Sequence, residues 1–141
     1  MHELIQKRQW YLLFFAWLVA TVAMFGSLFF SEIMLFTPCV LCWYQRIAMY
    51  ALVVVLLVGL IKNDQSVFSY SIPLIAIGLF ISLFHNLLHW EIIPESASPC
   101  VESAPCSTIY LDWLGFITIP LMSMTAFLLI GTLLYFSKRI K

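Results

Sequence analysis

Charge is what this chain has least of. Only 10% of its 141 residues are Asp, Glu, Lys or Arg, against 63% that are hydrophobic, and the mean hydropathy is +1.01. A soluble domain must cover its surface with polar groups, which this composition cannot do. Lipid is therefore the solvent for most of the chain, and nucleic acid is excluded as a partner. Residues 91–114 contain no lysine or arginine, although Glu91, Glu95, Glu102 and Asp112 are there. Low-complexity tracts and any sign of a second domain are absent as well, so residues 1–141 read as one integral membrane domain. The one internal echo, Pro38-Cys39-Val40 against Pro99-Cys100-Val101, is too short to be a repeat.

What the chain does have is long uncharged stretches. Residues 9–31, 65–90 and 113–137 carry no Asp, Glu, Lys or Arg, and each exceeds the roughly 20 helical residues that cross a hydrocarbon core. A fourth stretch, residues 47–61, lies between Arg46 and Lys62. At about 1.5 Å per residue it reaches only roughly 22 Å, so a spanning helix there must begin near Leu41 or Cys42 and carry Arg46 within it. The expectation is an all-α four-helix membrane bundle with helices at about 9–31, 41–61, 67–90 and 114–137, and with outer loops at about 31–41 and 91–114. The first stretch could be a cleaved signal peptide, but its apolar run continues through Phe29 and Phe30, beyond the usual ~7–15 residues of a signal core. It reads as a retained anchor.

Basic residues orient the bundle. Lys7, Arg8, Lys62, Lys138, Arg139 and Lys141 would all fall on one side after four crossings, and the positive-inside rule makes that side cytoplasmic. Both termini and a tight turn at Asn63 and Asp64 then lie inside. Pro94, Pro99 and Pro105 should keep the second outer loop non-helical, whereas Pro73 and Pro120 should sit within helices 3 and 4, where neighbouring helices can satisfy freed backbone groups.

All four cysteines, Cys39, Cys42, Cys100 and Cys106, then face outward. That is the oxidising side of a cell membrane, where disulfides persist. Cys100 and Cys106 are compatible with a structural staple. The C-x-x-C pair Cys39/Cys42 closes too small a loop to stabilise much through chain entropy and suits redox exchange better. A four-thiolate zinc site is disfavoured, because the second half would be C-x5-C and the location favours oxidation over metal capture.

Near a helix start, the Cys42 sulfur would lie by unsatisfied N–H groups and the positive end of the helix dipole, with Arg46 one turn deeper on the same face. Both favour the reactive thiolate. Arg46 could instead snorkel to headgroups. Counting along an antiparallel hairpin of helices 2 and 3 puts position 42 level with 86 and 46 level with 82, so His85 shares the layer. His89 and Trp90, farther out, read as interface anchors, and His2 is uninformative. A thiol, a guanidinium and an imidazole at the outer rim could serve a lipid-soluble two-electron carrier such as a quinone, with Arg46 and His85 hydrogen-bonding its carbonyl oxygens.

The stretch Pro38-Cys39-Val40-Leu41-Cys42-Trp43-Tyr44-Gln45-Arg46 resembles the signature of the DsbB family of membrane disulfide oxidases. The short loop from Pro99-Cys100 to Pro105-Cys106-Ser107, with Gly115-Phe116-Ile117-Thr118-Ile119-Pro120 after it, is similar to the Gram-positive, BdbC-like branch. The resemblance implies a bacterial plasma-membrane enzyme that reoxidises a soluble or anchored thioredoxin-fold thiol oxidase (DsbA/BdbD-like) and passes two electrons to menaquinone or ubiquinone. It further implies that the partner thiolate attacks Cys100, that Cys106 resolves the mixed disulfide by exchange with the inner pair through Cys39, that Cys42 faces the quinone beside Arg46, and that His85 matches a family histidine near it. The outer cysteines stand closer together than in enteric members, and His89 occupies a position where some relatives have glutamine. Two other readings stay open: a reductase of the vitamin K epoxide reductase-like type, with electrons running the other way, and a small four-helix transporter with structural disulfides. Against the transporter, no acidic residue lies well inside a helix, where proton-coupled exporters generally need one.

Overall fold

The computed structural model describes residues 1–100, 102–109, 112 and 114–140; Lys141 of the basic set and Val101 of the short echo lie outside the described residues. Its long helices are α1 (His2–Leu28), α2 (Val40–Lys62), α3 (Val67–His89) and α4 (Ile119–Arg139). All four are long and apolar enough to cross a membrane. Because lipid offers backbone groups no hydrogen bonds, helices that satisfy themselves are the form such segments must take.

The boundaries follow local chemistry. The first helix runs through Lys7 and Arg8 and, past Leu28, widens into a π-helical turn, Phe29–Ile33. Leu35, at φ 55°, then ends the segment. Cys39 is the N-cap of α2, extended at φ −77° and ψ 173°, and its carbonyl accepts from Trp43 N at 3.2 Å. At the far end Asn63 takes the left-handed conformation and Asp64 N reaches back to the Gly59 carbonyl at 3.0 Å, a Schellman-type closure. Pro73 lies inside an unbroken α3. Pro120, however, is in the first turn of α4 rather than within the helix. Leu114 and Gly115 have positive φ and Thr118 is extended, so α4 starts only at Ile119, where a missing proline N–H costs nothing. Between α3 and α4 the described residues include a 3₁₀ turn, Glu95–Ala97.

Packing makes a ring in which α1 and α3 each lie against both α2 and α4. Gln9 Nε2 donates to the Ser137 carbonyl at 3.4 Å and Gln65 Nε2 to Gln9 Oε1 at 3.5 Å. Those bonds bring the start of α1, the α2–α3 turn and the end of α4 to one end of the bundle, which therefore gathers the basic residues. Arg46 and Ser27 meet toward the other end.

With little hydrophobic gain between helices in lipid, small residues and close contact hold such a bundle. Ala16 and Ala20 are fully buried on α1, as are Leu52 and Leu56 on α2 and Phe127 and Ile130 on α4. Many large apolar side chains point outward, including Phe15, Val22, Ile47, Val54, Ile77 and Phe80, as a lipid-facing surface requires. Gly78 lets α3 lie directly on the Phe127 ring, whereas a Cβ on Gly26 would meet nothing within 4 Å.

Gly78→Ala should therefore overpack the centre, costing about 1–3 kcal/mol and lowering the thermal midpoint in detergent. Gly26→Ala should leave the midpoint unchanged or raise it. Equal midpoints for the two variants would contradict this account of the helix contact.

Candidate functional site

Beyond Arg46, toward the end opposite the basic residues, α2 begins inside the C-x-x-C, so the sequence that starts the helix also places two sulfurs on its first turn. The Cys39 and Cys42 sulfurs are 3.2 Å apart and share a hydrogen bond; both cysteines are free. Cys39 is buried. Cys100 and Cys106 are joined by a disulfide with Cα atoms 5.8 Å apart. The two members differ: Cys106 is buried, while Cys100 is only half-buried. Cys39, Leu41, Leu88 and Cys106 form one apolar cluster, with Cys42 and Cys100 packed against it. The outer disulfide thus sits on the inner pair.

His85 links the two pairs. Its Nε2 lies 3.1 Å from the Cys106 carbonyl oxygen and 3.8 Å from the Cys39 sulfur, while its Nδ1 lies 3.0 Å from Gln45 Nε2. His85 and Gln45 are both buried, so each must find its hydrogen bonds within the protein. The hairpin of α2 and α3 brings His85 level with the stretch from Cys39 to Gln45, nearer Cys39 than the residue count suggested.

Arg46 does not simply snorkel. Its Nε donates to Ser27 Oγ and its Nη2 to the Ser27 carbonyl, both at 2.7 Å, and its guanidinium lies 5.3 Å from the centre of the Trp43 ring. The acceptor carbonyl belongs to the last turn of α1, just before its π-helical widening. A fork held this way keeps its remaining donors in a fixed direction.

These groups line a cavity of about 860 Å³ walled by all four helices and by the α1–α2 and α3–α4 connections. Cys39, Cys42, Gln45, Arg46, His85 and Cys106 are polar or sulfur-bearing lining; Val19, Val22, Met49, Ala126 and Leu129 are among its apolar walls. His89, expected as an interface anchor, lines the same space. Its Nδ1 and the Thr118 Oγ1 are buried without a hydrogen-bond partner.

Sequence reasoning placed the charge on Cys42. In the dithiol the environment favours it on Cys39, whose ionisation is held well below the ordinary thiol range first by the hydrogen bond with Cys42 and then by that of His85, against the opposing effect of burial. The physical reason is that His85 stands beside Cys39, whereas the Arg46 fork is turned to Ser27. Ligand atoms of Cys39, Cys42 and His85 all lie within 4.8 Å of one another. A metal there would have to take the His85 nitrogen from the Cys106 carbonyl. The four-thiolate arrangement is not assembled, because Cys100 and Cys106 are bonded to each other.

Two residues escaped the sequence reading. Gln45 carried a signal, as an amide in an apolar helix one turn from Cys42 and next to Arg46. Ser27 carried none, because its importance comes from a partner on another helix.

The family described as Disulfide bond formation protein DsbB matches residues 7–137. Disulfide bond formation protein C of Bacillus subtilis is 48% identical over 118 residues, covering 84% of this chain and 86% of that protein. A probable disulfide formation protein C 1 of Bacillus anthracis is 44% identical over 126 residues, 89% of this chain and 91% of the relative. A probable disulfide formation protein of Metapseudomonas resinovorans is 37% identical over 131 residues, 92% and 91% of the two chains. No solved structure matches. Because the family match runs through all four helices and both cysteine pairs, the chain belongs to the DsbB family and is a membrane oxidoreductase of disulfide bond formation.

Proposed function

We propose that this protein reoxidises a thioredoxin-fold thiol oxidase outside the cell and delivers the two electrons to a membrane quinone, menaquinone or ubiquinone. The observation that carries the reading is the apolar cavity lined by Cys39, Cys42 and Cys106 together with Arg46. Its volume lies within the roughly 300–1,000 Å³ of small-molecule sites. Apolar walls with a few fixed donors and two orphaned polar atoms, His89 Nδ1 and Thr118 Oγ1, suit an apolar ring carrying carbonyl oxygens. A bound quinone supplies a two-electron, two-proton acceptor.

The steps on the protein are thiol–disulfide exchanges. A partner thiolate attacks Cys100, the more accessible member of the outer pair, and Cys106 leaves as a thiolate. Cys106 then attacks Cys39 of an oxidised inner pair, forming a Cys39–Cys106 bond and releasing Cys42. The second partner thiol frees Cys100 and leaves with its own disulfide. Cys100 attacks Cys106, restoring the outer disulfide and releasing Cys39. Two electrons from the partner dithiol now reside in the inner dithiol, and reforming the Cys39–Cys42 bond passes them to the acceptor.

Charge moves between the sulfurs in this scheme. With both thiols free it rests on Cys39, but while Cys39 is tied to Cys106, Cys42 stands alone on the first turn of α2. The helix dipole and the Arg46 charge one turn away then favour its thiolate. Arg46 also stabilises negative charge growing on the acceptor. The polarity follows from the basic end: Lys7, Arg8, Lys62, Lys138 and Arg139 mark the cytoplasmic side, so the cysteines face outward in a bacterial plasma membrane.

Given a reduced thioredoxin-fold partner, purified protein should reduce added quinone, and Cys42→Ser should stop it; sustained turnover in that variant excludes the scheme. Arg46→Ala should raise the apparent KM for quinone roughly tenfold or more, the scale of a lost charged hydrogen bond. Ser27→Ala, which keeps the backbone acceptor, should cost only a few-fold; a larger loss than in Arg46→Ala would show that Ser27 acts otherwise. In intact cells a membrane-impermeant maleimide should label reduced Cys100, and labelling only after lysis would reverse the orientation.

A further inference from the structure

We propose that Gln45 is a positioning residue that fixes the tautomer of His85, so that the His85 Nε2–H stabilises Cys39 when it leaves as a thiolate. The inference rests on the exchange between outer and inner pairs proposed above, and it gives His85 a partner in sulfur.

The argument is one of donors and acceptors. A backbone carbonyl can only accept, so the 3.1 Å contact between His85 Nε2 and the Cys106 oxygen requires the proton on Nε2. In a neutral imidazole the other nitrogen is then an acceptor. Nδ1 must receive a hydrogen bond, and the group 3.0 Å away is the Gln45 amide nitrogen, which can donate one. The carbonyl thus dictates the orientation of the glutamine amide as well as the ring. Both side chains are buried, so no water competes to reset them.

The same Nε2–H lies 3.8 Å from the Cys39 sulfur. In the closing exchange the Cys39–Cys106 bond breaks as Cys100–Cys106 forms, and the electron pair of the broken bond goes to Cys39. No proton moves. The N–H, shared until then with the Cys106 carbonyl, strengthens toward a sulfur that has become an anion. The opposite tautomer would aim a nitrogen lone pair at that anion. Cys39 meets Cys42 from α2 and His85 from α3 and shares an apolar cluster with Cys106 of the α3–α4 connection; Arg46 and His89 line the same cavity.

Nuclear magnetic resonance on the full chain in nanodiscs tests the proposal. With ¹⁵N-labelled histidine, wild-type His85 should show an unprotonated Nδ1 and a protonated Nε2. With ¹³C-labelled cysteine, the Cys39 Cβ signal of the reduced protein should mark thiolate at neutral pH and revert to thiol only in acid, as pH falls through the lowered value. Gln45→Met should mix the tautomers and reduce the Cys39 thiolate-to-thiol ratio about tenfold, a shift of about one pH unit. A protonated Nδ1 in the wild type, or a Cys39 titration unmoved while the tautomer changes, overturns the proposal. Should Gln45→Met fail to fold, the wild type still decides: the Nε2 signal must shift as Cys39 ionises, and an unmoved signal rejects the contact. None of these readings uses quinone or partner, so they can fail while Cys42-dependent quinone reduction stands, and the reverse.

Discussion

The hydrocarbon of a bilayer accepts no hydrogen bonds, and the polar chemistry of this protein is arranged around that constraint. A buried amide, imidazole or guanidinium must be satisfied by the protein itself. Arg46 is satisfied by both oxygen atoms of Ser27, His85 by Gln45 and the Cys106 carbonyl, and Asn86 Nδ2 by the carbonyls of Ser82 and Pro120. Each bond except Asn86 to Ser82 joins two different elements, so these polar groups also fix how the cysteine end of the bundle is assembled. Satisfaction and preorganisation are one event here. A fork that has already found its acceptors has little left to reorganise when charge appears near it.

The same constraint decides where sulfur can ionise. An anion in an apolar cluster is costly unless donors surround it, and Cys39 has two, the Cys42 thiol and His85. Burial works against it, yet the local bonds prevail. Placing the outer disulfide on this cluster brings the buried Cys106 close to the inner pair while Cys100 stays half-exposed. In the proposed exchange, this asymmetry of exposure within one disulfide separates the sulfur offered to a partner from the sulfur next to the Cys39/Cys42 pair.

Packing elsewhere serves the opening at this end. Small residues let the helices approach through the middle, with Ala16 and Ala20 on α1 and Gly78 against Phe127. Toward the cysteines, the end of α1 widens into a π-helical turn and α4 starts late, after two left-handed residues. Residues of both segments, Phe30, Ser31, Phe116 and Thr118 among them, border the same region. The cavity lies there.

Much of the fold is legible in the composition, because an uncharged run of spanning length has few alternatives in a bilayer. The α2 start could be read from Arg46 and Lys62 lying too close together for a span between them. The bend before α4 could not be read as easily: Pro120 suits either the inside of a membrane helix or its first turn, and only the positive φ at Leu114 and Gly115 decides between them. Within the site, the C-x-x-C, the arginine one turn later and the layer holding His85 were visible as spacing. By itself the amino-acid order determined four spans, a basic end and a cysteine end, since these depend on local hydropathy and charge. Tertiary structure alone decided that Arg46 is held by Ser27, that Gln45 faces His85, and that Cys39 is the sulfur beside the His85 ring. Those outcomes depend on angstrom-scale distances between atoms on different helices, which a linear pattern does not contain.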